Sequence, residues 1–538
     1  MTDAAAPGQY YLSRVQAELP RVLTLVDRDP SSPTYGCFDR NYWHYRTQDF
    51  PSGMYQELAL PLAQAVALEW PGNRFYGEPR LRELALAGID FAARSAHADG
   101  SCDDYFPYER ALGATAFAAA AHAEALRLLG DRDPARVAYL RRRCDWLLGS
   151  EESGQLTNHH ALVALAAART GAWLDDAGLL ERARAPVERC LAWQHEEGWF
   201  PEYEGADPAY QTLTLSFLAE VAELLPSSEL DAALDRALAF CVHFLHPDGA
   251  YAGETGSRNN AQVLPSGFER LAGRSAEART LADGWLAGAE EGKAAHPDDD
   301  RIFSHWMQDF PAAARARRER GDTGPEPFVA EASDTVFPAA GLQVIRRGEW
   351  TLTVATGKGG VVRAHRGSRL VVNDTGLVAR AGKERFVMHQ VDPACRTERE
   401  GDALVLRGVF HRAPRHLATP LRQVAFRGLN ATIGRAAPGL LRRLLQGLLI
   451  TGKKPAPLRF ERRIDWGGDE LVIEDRIDAT GAEGRGLDGL WASTDATSIY
   501  VATSNLWQEA SLEPWVRLDD AAETLRRDGH ATIRRTFR

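Results

Sequence analysis

Two periods divide this chain. From Tyr10 to about Glu290, apolar residues return at three-and-four spacing in segment after segment, as in "MYQELALPLAQAVALEW", "ATAFAAAAHAEALRLLG", "YQTLTLSFLAEVAELL" and "LDAALDRALAFCVHFL". From about Thr335 the pattern becomes short alternating runs rich in Val, Ile, Thr and Arg, such as "WTLTVATG", "RLVVNDTG" and "ELVIEDRIDAT", punctuated by Gly, Asp and Asn. The first half predicts helices and the second predicts an antiparallel β-sandwich. Between them, "RRERGDTGPEPFVAEASD" is polar and carries Gly and Pro. That places the boundary near 315–333, with a helical domain over 1–320 and a β domain over 333–538.

The helical half also repeats. Gly-containing polar loops recur about every 50 residues, each followed by an apolar helix, a short turn and a second helix. They read "DGSCDDYFPYER", "ESGQLTNHH", "EEGWFPEYEGADPAY" and "PDGAYAGETGSRNN". A two-helix repeat of this kind predicts an incomplete α/α toroid, and the chain as a whole falls in the α+β multidomain class. Inner and outer helices alternate in direction, so the loops before every second helix gather on one rim.

That rim carries the unusual residues. "TNHHALVALAAARTG" puts Asn158, His159 and His160 at a helix start, and "DPAY" gives the helix beginning near Asp207 an N-cap Asp, Pro208 at its first position and Tyr210 in its first turn. One outer helix separates the two, so they point the same way. Their free N–H groups and dipoles predict a place for an anion such as a carboxylate. Asn donates to a carboxylate without losing a proton, His titrates near neutrality, and Tyr shuttles a proton where positive charge lowers its pKa from about 10. Together they suit removal of a carbon-bound proton beside a carboxylate, as in β-elimination from a uronic acid. Tyr105, Tyr108, Trp199, Tyr203 and Tyr251 offer flat faces for sugar rings, and Glu109, His160, Arg258 and Asn259 are further substrate contacts.

Composition narrows the partners. The chain has 538 residues, 44% of them hydrophobic and 25% charged, and a net charge of −11. That charge argues against nucleic acid, so an anionic substrate has to be met by a local cluster of cations and donors. Six cysteines stand singly, without metal or redox spacing, and read as buried thiols. No cofactor is expected. The N-terminal stretch has neither a basic leader nor a long apolar run, so the cytoplasm is the expected compartment, or the periplasm if a leader has been removed. The run "PGLLRRLLQGLLITGKK" over 438–454 is basic and amphipathic, and predicts either packing on its own domain or contact with a membrane surface or lipid-linked glycan.

The Asn158–His159 pair opening one inner helix, Tyr210 opening the next and a following β-sandwich resemble the heparinase II/III-like polysaccharide lyases, a group that includes oligoalginate lyases and to which the dermatan sulfate epimerase domain is similar. The resemblance covers nearly the whole chain. It implies that Asn158 neutralises the C5 carboxylate of a uronate in an acidic polysaccharide or oligosaccharide. It implies further that His159 acts as base or orients it, and that Tyr210 serves as acid, or as both acid and base. Those lyases commonly carry a His-x-His-x-Asp loop early in the sandwich, whereas "GKGGVVRAHRGSRLVVNDTG" keeps only His365. No metal is therefore expected. His365, Arg363 and Lys358 remain as positive charges able to reach the cleft, with His389 as a second candidate. Three alternatives stay open. One is a C5-epimerase sharing the proton abstraction, and another is a non-catalytic glycan-binding protein. The third is an inverting glycoside hydrolase using two of Asp103, Asp104, Glu109, Glu202, Glu204 and Asp207 about 6.5–9.5 Å apart.

Overall fold

A computed structural model describes residues 8–152, 154–202, 205–295, 301–328, 332–413, 419–441, 454–494 and 515–538. Its helical half runs α1 (Gln9–Leu25), α2 (Arg40–Trp43), α3 (Ala59–Ala67), α4 (Pro79–Ser95), α5 (Leu112–Leu129), α6 (Pro134–Leu148), α7 (Thr157–Leu174), α8 (Ala177–Arg182), α9 (Arg184–Trp193), α10 (Pro208–Leu224), α11 (Ser228–Cys241), α12 (Ser266–Leu271), α13 (Ala276–Glu290) and α14 (Ser304–Arg320).

Helices α3, α5, α7, α10, α12 and α14 each pack on the next, and α14 returns to α3. They are the inner layer of a toroid. Their composition explains it: α5 is buried almost all round and is built largely from alanine, from Ala114 to Ala125, so neighbours approach closely at little side-chain entropy cost. The partners are amphipathic, as in α4, which buries Leu81, Leu84, Ala85 and Ile89 and leaves its arginines outside.

The loops before the inner helices meet at one rim, joined by side chains. Ser52, ahead of α3, donates to Asp104, ahead of α5, at 2.6 Å, and Arg301, ahead of α14, donates to the same carboxylate at 2.5 Å. Asn158 at the start of α7 reaches Glu202, ahead of α10, which Arg258, ahead of α12, approaches at 3.5 Å.

The β half is antiparallel throughout. One sheet orders β1 (Ser333–Phe337), β2 (Leu342–Arg347), β3 (Trp350–Ala355), β4 (Val361–Arg366) and β5 (Arg369–Asp374) in sequence. The other contains β6 (Gly376–Ala381), β7 (Glu384–Val387), β8 (Arg396–Glu400), β9 (Ala403–Arg412), β10 (Pro455–Asp465), β11 (Leu471–Ala479), β12 (Gly489–Ser493), β13 (Trp515–Arg517) and β14 (His530–Phe537), in the order 13-12-6-7-9-10-11-14 with β8 on β9. Ile345, Leu352, Val362 and Ala364 of the first sheet share a core with Leu377, Phe386, Leu404 and Phe460 of the second. Phe337, Leu342, Val344 and Val361 belong instead to the helical core. The middle strands of the first sheet, β2 to β4, are thus buried on both faces, and even polar positions such as Gln343, Thr353, Arg363 and His365 are buried there.

Candidate active site

The site begins with the question of what caps α7. Its N-cap residue is Leu156, which supplies no side-chain bond. The loop "WFPEYEG" crosses instead, with a bridge between Leu156 and Glu202. Glu202 then accepts from the Asn158 backbone N–H at 3.1 Å and, through its two oxygens at 2.8 and 2.7 Å, from the side-chain amide Nδ2. Asn158 and Glu202 are each 1% exposed. Burial pushes the Glu202 carboxyl up, while Arg258 and then Asn158 pull it down. The expected anion position at this helix start is therefore filled by the protein's own carboxylate. That corrects the expectation that free N–H groups wait there for a ligand. The same holds for α10, where Asp207 accepts from the Ala209 and Tyr210 N–H groups at 3.1 and 3.0 Å, as its sequence Asp-Pro demands.

Asp207 also accepts from the Arg258 backbone N–H at 2.8 Å. One buried carboxylate thus fixes both members of a stack, because the Arg258 guanidinium lies 4.0 Å from the centroid of the Tyr210 ring. The side chain of Arg258 is 11% exposed and Tyr210 is half-buried, so both meet the rim surface. Arg258 faces Glu202 on its other side at 3.5 Å, and His159 is close enough to act electrostatically on Glu202. Asn158, His159, Tyr210 and Arg258 are hence one constellation with Glu202 at its centre.

His159 is oriented by a residue that the chain pattern does not mark. Its Nδ1 lies 2.9 Å from Glu152 Oε2, which fixes the tautomer with the proton on Nδ1 and a lone pair on Nε2. The ring sits over Gly113 in the first turn of α5, where a Cβ would come within 2.8 Å of His159 Cε1. On the neighbouring loop Tyr105 is exposed, its ring covered 4.3 Å away by Arg301, which also donates to its hydroxyl at 2.8 Å. Tyr105 interacts electrostatically with Tyr210, so it borders the constellation. Tyr108 holds a left-handed backbone, φ 63°, and donates its N–H to Asp103 at 2.8 Å.

Several expected contacts lie elsewhere. Glu109 accepts from the Asp104 and Tyr105 N–H groups at 3.1 and 2.7 Å, so its carboxylate folds its own loop. His160 points away from the rim and meets Trp193 of α9 edge-on, with centroids 5.0 Å apart; burial lowers its pKa to about 4. Trp199 stacks on His195 and donates to Glu197, whose carboxylate receives the Ala339 and Ala340 N–H groups of the β1–β2 turn, so it serves the join between the halves. Tyr251 is buried against Phe268 and donates to the Cys241 carbonyl. His365 is fully buried, stacked on His246 at 5.2 Å with Nε2 3.3 Å from Asp248, and reaches no rim surface. Tyr203 and Glu204 lie outside the described residues.

Asn259 accepts from the Lys358 Nζ, which also donates to the Glu254 and Gly256 carbonyls at 2.6 Å each. Lys358 thus ties the sandwich to the rim loop from beneath instead of projecting into the cleft, and burial pulls its ammonium down to about 7. His389 is buried in the sandwich, bonded to the Thr375 carbonyl at 3.0 Å. Among the described residues no group of His, Cys, Asp or Glu is placed to hold a metal ion.

The chain matches no known family model and no curated protein sequence. Its fold does match solved structures. The chondroitin AC lyase of Streptomyces coelicolor A3, in complex with chondroitin sulphate, superposes with a TM-score of 0.59 at 13% identity, over 92% of this chain and 69% of that one. A Paenibacillus xanthan lyase superposes with a TM-score of 0.56 at 13% identity, over 90% of this chain and 46% of its own. The chain therefore spans about half the length of the xanthan lyase, and shares with both enzymes a toroid joined to β structure.

Proposed function

We propose that this protein is a polysaccharide lyase that removes the C5 proton of a uronic acid in an acidic glycan and expels the C4 substituent. The observation that carries the reading is the Arg258–Tyr210 stack beside the Glu152-oriented His159 on one rim. Likeness of fold to a chondroitin lyase and a xanthan lyase supports it, since both act on glycans by their names.

A proton beside a carboxylate anion is weakly acidic until that anion is neutralised. Arg258 is the rim cation that meets it, and Asn158 acts one step back by holding Glu202, the counter-charge that sets the position of Arg258. His159 Nε2, with its lone pair fixed by the Nδ1–Glu152 bond, takes the C5 proton. The C5–H electrons form the C4–C5 double bond, the C4–O4 bond breaks, and Tyr210 delivers its phenolic proton to O4. Positive charge on Arg258 stabilises the phenolate left behind, which recovers a proton from water or from His159 between turnovers. Tyr105 supplies an exposed ring face for a flanking sugar.

Tyr210→Phe tests the assignment. The ring and its contact with Arg258 survive, and only the phenolic proton is lost. Turnover on a cleaved uronate glycan falls by about 100-fold or more while substrate affinity changes little. Turnover within a few-fold of wild type removes Tyr210 from the chemistry.

A further inference from the structure

We propose that Lys358, in the turn between β3 and β4, is the positioning residue by which the sandwich holds Arg258 on the rim for an anionic ligand. This rests on the assignment of Arg258 as the cation that meets a substrate carboxylate. Lys358 is 2% exposed. Its ammonium can donate three bonds, and three oxygens of the rim loop receive them: the Glu254 and Gly256 carbonyls at 2.6 Å each, and the side-chain oxygen of Asn259. These acceptors lie on both sides of Arg258 in sequence.

The loop they hold has a backbone that needs holding. Ala252 and Asn259 take left-handed conformations, φ 51° and 57°, which residues with a Cβ adopt seldom. Such conformations persist where the surroundings over-determine them. Asp207 supplies the second grip. It accepts the Arg258 N–H at 2.8 Å, and a Cβ on Gly256 would stand 2.4 Å from its Oδ2, so loop and carboxylate meet closely. Lys358 also acts on this second anchor. Burial pushes the Asp207 carboxyl up, while the Tyr210 and Arg258 N–H groups and the charges of Arg258 and Lys358 pull it down. The ammonium thus favours the ionised Asp207 that seats both Tyr210 and Arg258. One side chain of the β half serves the rim stack twice, by its bonds and by its charge, without entering the cleft.

Lys358→Met in the full chain keeps an unbranched side chain and removes the donors and the charge. Hydrogen exchange over 253–260 should become at least about tenfold faster than in wild type, with exchange in α5 unchanged. On a cleaved uronate glycan, Lys358→Met should lower kcat/KM by about tenfold or more alone, but by less than about twofold when added to Arg258→Gln, because it acts through Arg258. A merely structural role would add its full loss in both backgrounds. That additive result overturns the proposal, as does loop exchange within about twofold of wild type. If Lys358→Met loosens α5 as well, Asn259→Gly decides, since glycine suits the φ of 57° and the change deletes only one acceptor. Faster exchange confined to the loop then supports the proposal, and exchange as in wild type overturns it. Should wild type cleave no uronate glycan, the lyase reading falls, while the loop exchange still decides the role of Lys358.

Discussion

A carboxylate at 1% exposure is tolerated only when its lone pairs are satisfied, and Glu202 accepts from both the backbone N–H and the side-chain Nδ2 of Asn158. This geometry explains why an amide, and not Ser or Asp, opens α7. A hydroxyl would cap one N–H, whereas Asn158 binds a second loop carrying the counter-charge of Arg258. The meeting of Asn158 and Tyr210 at one rim was legible from their place at parallel helix starts. The pairing of Glu202 with Asn158 was not: Glu202 stood only among six loop carboxylates considered for a hydrolase, its partner is 44 residues away, and nothing in "WFPEYEG" marks it as buried. Glu152 escapes for the same reason in a polar loop. His160 shows the converse error: successive helical residues are about 100° apart, so the residue two after Asn158 faces the outer layer. Its burial has a consequence for pH. Held to about 4 in the fold against 6.5 when unfolded, His160 contributes stability that is fully present above pH 6.5 and is lost as pH falls toward 4, because the unfolded chain takes a proton that the native ring refuses. His160→Phe keeps a ring against Trp193 and removes that proton. Between pH 6.5 and 4.5, urea unfolding should show the variant losing less stability than wild type by up to about 1.4 kcal/mol per pH unit. Parallel losses in the two proteins contradict this account of the ring.

At the scale of elements, the inner helices do two jobs with one composition. Alanine lets α5 and α7 pack closely, and that closeness turns the first turn of α5 into a wall for its neighbour. Gly113 is the case that touches the site. Its missing side chain is where the His159 ring lies, and a Cβ there would stand 2.8 Å from Cε1. Gly113→Ala should therefore separate fold from function. The helix gains up to about 1 kcal/mol of propensity, so the melting temperature holds or rises. The displaced imidazole should lower kcat by at least about tenfold. Unchanged turnover in the variant would show that the position of His159 is immaterial. Helices and strands were readable from their periods, since those are local properties. Burial of β2 to β4 on both faces was written only in short apolar runs such as "VI" and "VV", since Gln343, Thr353, Arg363 and His365 are buried in the same strands. What those runs do not say is which layer covers each face, because Val344 and Ile345 are equally apolar yet join different cores.

Across the whole molecule, the sandwich is seated on the rim side of the toroid. Lys358 enters the 254–259 loop from below, Glu197 receives the β1–β2 turn, and Arg427, between β9 and β10, reaches Asp49 on another side of the rim. Most of the basic run over 438–454 that follows it, 442–453, lies outside the described residues. The β half thus supports the loop carrying Arg258 without itself placing His365 in the cleft. Two halves and their order followed from the change of period. Their mutual seating rests on side-chain bonds between residues such as Lys358 and Gly256, 102 positions apart, which no local pattern records. The rim as a whole presents one arginine-backed phenol, one oriented imidazole and one buried amide–carboxylate pair, a set suited to moving a proton from carbon. The most direct measurement follows from that. Wild-type protein is incubated in heavy water with a panel of alginate, heparinoid, chondroitin, hyaluronan and bacterial exopolysaccharides, and each reaction is read by ultraviolet absorbance and by mass. An unsaturated C4–C5 uronate, absorbing in the ultraviolet and formed without addition of water, is the predicted product. C5 deuterium incorporation without unsaturation would instead make the protein an epimerase using the same abstraction. A glycan that is demonstrably bound yet is hydrolysed, or returned with neither unsaturation nor exchange, would contradict proton abstraction at this rim.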